Sequence, residues 1–588
     1  MKPAIREYFG KRPAVALGGA ALALLLAACG GNNTTPAAQP VIQTQVTAAG
    51  GGTFTDNTTN PLITLIVPAG ALSADARLRV TPLLSTTVPG ADQTPGSSAF
   101  AVSLTSLSGA PLTFGAGIVL ELAASPAPVH PQLGEIARLS GTAWERLPAN
   151  FFRSSNSTVV ALVADPNGTF RVMHRTPQTA TGPGVAAGFD VFMNETFGNE
   201  SFFGGVLGLH TVLNNLLPTD AVGFGVQIDL AKVPAEIVAV MTGADNAAKD
   251  AALADPATTR ALLKAGAVVG VKGVFDNAAN PDQLTGAGIT CALCHQNVTP
   301  TTFALTAGPT ALPIGPLEVD GRPNVAMNAG AILAATPFVQ AAGQATIDLL
   351  NGWGPGRFDI RALPDNPLDD GVDNPTGNPP LWNFLDLEGQ GYLFGYDGLF
   401  VGGNALASQA EAVYDLVMHA NGAFGVAGGN LPPALRIVPP QTLIDRLVAA
   451  ETGQPGNDID TQKLLDLQTW MRSLSGAAPG AFNEAQAEQG FKLFHGRANC
   501  SVCHNTADLT DSQQRLFTFT LGATPGDLAG GIKVPSLRGV SRSAPYLHNH
   551  SLSTLAEVVA VLSTVGDPIP LDLTVDEQAA LVEFLRSL

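Results

Sequence analysis

The sequence predicts a multidomain chain: an N-terminal all-β sandwich followed by two mainly α domains, the first with long insertions. Three observations lead there. At 588 residues the chain is too long for one hydrophobic core. Its patterning changes near residue 173, from short β-rich runs to apolar residues at helical spacing. Each helical part contains one C-x-x-C-H pentapeptide: Cys291-Ala292-Leu293-Cys294-His295 and Cys500-Ser501-Val502-Cys503-His504.

That spacing is the pattern for covalent c-type haem attachment. Two thiols add across the haem vinyl groups, and the following residue supplies an imidazole to the iron. The reading assigns Cys291, Cys294, Cys500 and Cys503 to attachment and His295 and His504 to iron, for two covalent haems in all. A thioredoxin-like redox pair is the nearest alternative, but it needs no histidine at that offset. A zinc ribbon would take four ligands, and positions 296 to 499, which is 204 residues, separate the two motifs.

The chain opens with a basic segment (Lys2, Arg6, Lys11, Arg12) and an apolar run from Ala14 to Ala28, too short to span a membrane. The run ends in Leu26-Ala27-Ala28-Cys29, which resembles the lipobox of bacterial lipoproteins. The resemblance implies that residues 1–28 are a signal peptide and that Cys29 is lipidated. The alternative is a plain secretory signal with Cys29 unmodified. Residues 29–49, small and polar at first, are expected to be a flexible tether to the cell envelope. Net charge is −18 for the whole chain. Without residues 1–28, which hold four basic residues and one acid, it becomes 26 − 47 = −21. Such a surface argues against nucleic acid as a partner and suits a small soluble electron donor or acceptor protein.

Residues 50–175 form the expected sandwich, with strands at Ile63–Val67, Arg77–Val80, Phe100–Leu104 and Ile118–Leu122. The stretch from Gly51-Gly52-Thr53 through Ile66-Val67-Pro68-Ala69-Gly70 resembles the start of the small β-sandwich of ankyrins and netrin receptors. This domain reads as a spacer or docking module. The Thr/Pro/Gly stretch 176–188 is the next boundary, and 189–475 is expected to be the first haem domain. Helical patterns fall at Phe203–Leu217, Ala247–Ala265 and Leu464–Leu474. Asp365, Asp369, Asp370 and Asp373 offer oxygen ligands for calcium, but they lack the spacing of a calcium loop, so a solvated loop is the plainer reading. Residues 481–588 are the second haem domain. A helix follows Asn483 and runs into the motif, and a last helix covers Asp576–Leu588.

Helix, short loop and C-x-x-C-H resemble the opening of a class I cytochrome c domain. Residues 483–588 resemble the C-terminal half of bacterial dihaem cytochrome c peroxidases and MauG-type enzymes. The carrying residues are Phe494 with Cys500–His504, Lys533-Val534-Pro535-Ser536-Leu537-Arg538-Gly539-Val540 and Ala544-Pro545-Tyr546-Leu547-His548-Asn549-His550-Ser551. The first haem domain matches only through its motif and general order. The resemblance implies an oxidoreductase that reduces peroxide, or activates dioxygen, at an open haem on His295. The second haem would relay electrons. A non-enzymatic dihaem electron carrier and an adhesion lipoprotein remain the competing readings.

The distal ligands follow less directly. The methionine or tyrosine that the family places fourteen residues past its Pro-Tyr-x-His motif would fall here on Leu562, which binds no iron. His548 is therefore assigned as sixth ligand of the second haem, with His550, Tyr546 and Lys533 as alternatives. His548 and His550 would share one side of an extended segment. Around the first haem the candidates are Met327, His210, His419, Glu200 and Asp359. Trp353 and Trp382 are candidates to lie between the haems. His130 and His174 read as unrelated to haem, and His495, beside Phe494, as a surface residue with contact to a haem edge as the alternative.

Overall fold

In the N-terminal part, β-branched residues alternate with polar ones and form strands wherever Gly, Pro or Asn lets the chain turn. These are β1 (Ile42–Val46), β2 (Gly52–Thr55), β3 (Ile63–Val67), β4 (Ala76–Leu83), β5 (Gln93–Pro95) and β6 (Ala99–Ser106). The set continues with β7 (Ile118–Ala123), β8 (Gly134–Ser140), β9 (Ala143–Arg146), β10 (Asn150–Arg153), β11 (Thr158–Val163) and β12 (Gly168–Arg175). One antiparallel sheet has the order β1-β4-β6-β12-β8-β9, with β5 paired to β12. The other has the order β10-β11-β7-β3-β2. Leu65, Leu78, Ile118, Leu120, Leu122 and Phe170, each no more than 1% exposed, fill the space between them.

This computed structural model describes residues 38–588 except 57, 59, 61, 84–92, 116, 359–374, 389, 395–399, 402–460, 477, 516–531 and 565–570. The signal segment, Cys29, the four calcium-candidate acids, Asp359 and His419 lie outside the described residues. Residues Pro40–Leu588 form one compact unit.

Two expected boundaries move. The tether expected over 29–49 contains strand β1, whose Ile42 and Val46 point into the sandwich core while Gln43 and Gln45 sit on its outside. The boundary stretch expected at 176–188 already contains the start of helix α1 (Pro183–Asn194). Its glycines belong to packing rather than to a linker. A Cβ on Gly188 would fall 1.9 Å from the Asp466 carbonyl of the helix Thr461–Arg472, so the two backbones touch. Trp470 of that helix stacks at 4.0 Å on Phe192 of α1.

Between these helices lie the first motif, on the short helix α2 (Ala292–His295), and a set of small helices and hairpins. Asp245 and Asp255 cap two of those helices, Asn246–Leu253 and Pro256–Lys264, each side chain accepting from backbone amides. Their apolar faces enclose a cavity lined by Leu213, Val226, Ile237, Leu262 and Phe303. The helix Thr461–Arg472 is α3.

The C-terminal part is built on α4 (Glu484–Phe494), α5 (Leu555–Thr564) and α6 (Val575–Arg586). Asn483 caps α4, and Thr574 with Glu577 forms a reciprocal capping box on α6. The crossing of α4 and α6 depends on Gly490, where a Cβ would meet the Ala580 carbonyl at 2.0 Å. Phe491, Phe494 and Phe584 close edge-to-face around it.

The sandwich is more than a spacer. Its second sheet turns Val119, Phe151 and Val160 outward, into one buried cluster with Ala487, Phe491 and Phe584. Phe151 stacks on Phe491 at 5.9 Å. Arg153 donates twice to Glu488, at 2.9 Å each. Among the described residues no helix is long and apolar enough to cross a membrane.

Candidate haem-attachment sites

Each pentapeptide coils into a single turn. Amides of Cys294 and His295 donate to the Cys291 carbonyl at 3.3 and 3.2 Å, and those of Cys503 and His504 donate to the Cys500 carbonyl at 3.3 and 3.1 Å. One turn carries both thiols and the histidine, the compactness that the attachment pattern requires. All four cysteines are outside disulfides. Burial pushes the Cys291 thiol up to about 11 and the Cys294 and Cys500 thiols up to about 12. A redox-exchange pair needs a depressed thiol, the opposite direction to these. Among the described residues no three His, Cys, Asp or Glu side chains converge as a metal set.

The histidines fit iron in different ways. His504 donates Nδ1–H to the Leu509 carbonyl at 2.6 Å, and the Pro535 carbonyl is a further acceptor at the ring. Burial lowers its pKa, offset in part by that carbonyl. His295 is 9% exposed and its Nδ1 is buried without a hydrogen-bond partner. Burial holds it at about 4, with the Pro379 carbonyl opposing, so the ring is a neutral donor at physiological pH.

Sequence reasoning missed the residue that holds the first motif in place. Asn324, 2% exposed, donates its amide N–H to the Cys294 carbonyl at 2.7 Å. Its Nδ2 donates to the Gly225 and Leu293 carbonyls at 2.9 and 3.2 Å. An asparagine directly after Arg322-Pro323 carries no pattern that announces this. Met327, 1% exposed, packs in the same cluster as Leu293 and Cys294.

The other candidates separate clearly. His210 bonds through Nδ1 to the Gly204 carbonyl at 3.0 Å, and Glu200 accepts from Thr196 at 2.6 Å. Trp353, fully buried, packs on Phe358 in a separate cluster. Trp382 shares a cluster with Cys291 and Ala292, donates Nε1–H to the Arg538 carbonyl at 3.2 Å, and lies against Gly539. It therefore touches both motif-bearing parts. His130 and His174 stay in the sandwich region, and His495 packs on Phe491 and Phe494.

The segment around His548 is not extended. Leu547 and His550 adopt φ of 67° and 52°, and Tyr546 pairs with Leu552 across a tight loop. The shared side expected for His548 and His550 does not hold, because two left-handed residues reverse the chain. His550 lies against Gly356 and Gly377, where a Cβ on Gly377 would overlap its ring at 2.1 Å. Tyr546 donates its hydroxyl to the Val540 carbonyl at 3.1 Å. His548, 8% exposed, is buried in the same loop.

The two one-turn C-x-x-C-H motifs fit the c-type haem-attachment pattern, and the comparisons point the same way. The chain is 30% identical over 162 residues to the cytochrome-c peroxidase IdrP1 of Denitromonas iodatirespirans, covering 19% of this chain and 42% of that one. It is 30% identical over 152 residues to the methylamine utilization protein MauG of Methylorubrum extorquens, covering 21% and 42%. Over that part the chain is related to the MauG-type dihaem cytochrome c peroxidases, and it spans about two fifths of the length of those curated relatives. A MauG-like protein associated with microbial copper homeostasis aligns over 25% of this chain and 58% of its own, at 22% identity and a TM-score of 0.19. No family model matches the chain.

Proposed function

We propose that the chain is an exported dihaem c-type cytochrome acting as an oxidoreductase, which reduces peroxide or activates dioxygen at the first haem with electrons relayed by the second. The observation that carries this is the pair of one-turn C-x-x-C-H motifs, with Trp382 in the cluster of the first and bonded to the Arg538 carbonyl of the second haem domain. Cys291, Cys294 and His295 would hold one haem, and Cys500, Cys503 and His504 the other, each in a class I cytochrome c-like setting. When bound, the haems supply iron that cycles between ferric and ferrous states. The protein's own part is positioning: Asn324 anchors the first turn, Leu509 orients His504, and Trp382 links the first motif's cluster to Arg538 and Gly539.

His548 is the proposed sixth ligand of the second haem. Tyr546 is committed to a backbone carbonyl, and His550, packed against Gly377 with a buried Nδ1 that has no hydrogen-bond partner, is the alternative. A small soluble electron donor or acceptor protein is the proposed partner, and a lipid on Cys29 the proposed anchor to the cell envelope. Calcium in the 365–373 loop is a minor addition to this reading.

Met327, packed beside Cys294, favours a second reading in which methionine closes the first iron and the protein only carries electrons. Optical and electron-paramagnetic spectra of the as-isolated and half-reduced protein decide between them. A high-spin ferric haem that binds cyanide supports the enzyme; two low-spin haems in both states support the carrier.

A further inference from the structure

Sandwich and second attachment loop meet over a buried ion cluster for which the attachment chemistry has no use. Its hub is Arg146, the last residue of β9. The guanidinium donates Nε–H and Nη2–H to the two carboxylate oxygens of Glu135, at 2.7 Å each. It also donates Nη1–H and Nη2–H to Asp508, at 2.8 and 3.1 Å. One planar fork thus grips a carboxylate of its own sheet and one of the loop after His504. Arg538 donates to Glu135 at 3.2 Å and to the Gln132 and Ala507 carbonyls at 2.6 Å each. Arg175, the last residue of β12, pairs with Asp386 at 2.6 Å and reaches Asp508 at 3.5 Å.

Three guanidiniums here face three carboxylates in a site almost closed to water; the Asp508 side chain is 2% exposed. Burial would raise the Asp508 carboxyl, but Arg146, Arg538 and Arg175 outweigh it and hold the group at about 2. Asp508 immediately precedes Leu509, whose carbonyl accepts the His504 Nδ1–H. Leu509 has φ 56°, a left-handed conformation that a residue with a Cβ rarely adopts unless its surroundings enforce it. The enforcement is visible on both sides. Ser536 Oγ donates to the Asp508 carbonyl at 2.7 Å, and Tyr392 donates its hydroxyl to Thr506 at 2.7 Å. The Asp508 side chain itself is clamped by the sandwich.

We propose that Arg146 of the β-sandwich is a positioning residue for the second haem: it fixes the Asp508–Leu509 turn so that the Leu509 carbonyl polarises His504, and it thereby sets that haem's midpoint potential. The proposal rests on the reading of Cys500–His504 as an attachment site. A strong acceptor on Nδ1–H gives the imidazole anionic character, which makes it a better donor to iron and favours the ferric state. Loosening the turn weakens that bond, and the potential rises.

The test uses the full-length haem-loaded protein. Its intact mass, read first, must carry two haem increments; a wild type with fewer overturns the attachment reading and is distinguished in this way from a failure of the proposal. Arg146→Lys keeps the charge and loses the fork. Asp508→Asn keeps the shape and loses the charge-assisted grip, and it serves if the lysine variant does not accumulate. Redox titration should show one midpoint potential moved upward and the other in place. The hyperfine-shifted His504 Nδ1–H should exchange faster with solvent. Arg138→Lys, at a more exposed pair with Asp165 on the same sheet, should change neither. A folded two-haem variant with both potentials and the exchange rate at wild-type values would overturn the proposal. So would an equal shift of both potentials, because that is a general field effect rather than positioning.

Discussion

The two C-x-x-C-H turns share a backbone and differ in nearly everything around it. His504 has its Nδ1–H fixed to a carbonyl five residues on, in a loop clamped by buried ion pairs. His295 sits deeper, with a buried Nδ1 that has no hydrogen-bond partner and the Pro379 carbonyl at its ring, and Leu293, Cys294 and Met327 share one apolar cluster. Five letters of sequence therefore set where a haem is tied. The neighbours, supplied from far along the chain, set how readily its iron takes an electron or a ligand. An oriented, polarised imidazole suits a relay; an apolar, less constrained one suits an iron that must accommodate a changing sixth ligand.

The comparison can be broken most severely at the attachment itself. Cys291→Ala with Cys294→Ala should remove one haem increment from the intact mass after acid-acetone extraction, and Cys500→Ala with Cys503→Ala the other. If either pair leaves both haems in place, the sites are not equivalent attachment points. His548→Ala should convert the second haem alone from low to high spin; a low-spin spectrum that survives the change removes His548 as its ligand.

Met327→Ala should leave the spin state of the first haem unchanged while lowering stability by about 3 kcal/mol, the usual loss for truncating a buried methionine. Loss of a low-spin signal would mean that methionine closes that iron. The smallest effect concerns acid. His495 is held at about 4 by burial, against 6.5 when exposed, so the unfolded chain takes up the proton first as pH falls. Stability tied to neutral His495 is complete above about 6.5 and is lost towards 4. His495→Gln should recover on the order of 2 kcal/mol of it at pH 4, measured by denaturant titration. No recovery would assign the acid sensitivity to other groups.

Much of the fold was legible because it depends on local rules. The four strands named from alternation all form, as do the helices of the Asn483 and Thr574 caps. The two C-x-x-C-H turns were legible as a pattern because five consecutive residues carry it. What failed depended on contacts between distant segments. Gly184 and Gly188 resemble a linker until α3 is known to lie against them. Gln43 and Gln45 disguised a strand whose Ile42 and Val46 face a core assembled from elsewhere. One signal was available and unused: Ile118-Val119-Leu120 and Val159-Val160-Ala161 are continuous apolar runs. They mark strands covered on both faces, and hence a sandwich that something packs against. Asn324 and the Arg146 cluster had no such signal, since a buried polar contact is specified by its partner.

The cluster shared by Phe151 and Phe491 also bears on how the protein is made. Arg153 and Glu488 are 335 positions apart, so the last hundred residues complete their core only by returning to the first strands synthesised. Closing a loop of that length is slow in comparison with local folding. The sandwich, whose own inner core is self-contained, can be finished long before the second motif emerges, and it then serves as a preformed surface on which α4 settles. On the proposed reading, haem loading at Cys500 and Cys503 would be coupled to the arrival of the C-terminal helices on that surface. A chain lacking its first 175 residues would present an unfinished receptor to the attachment machinery.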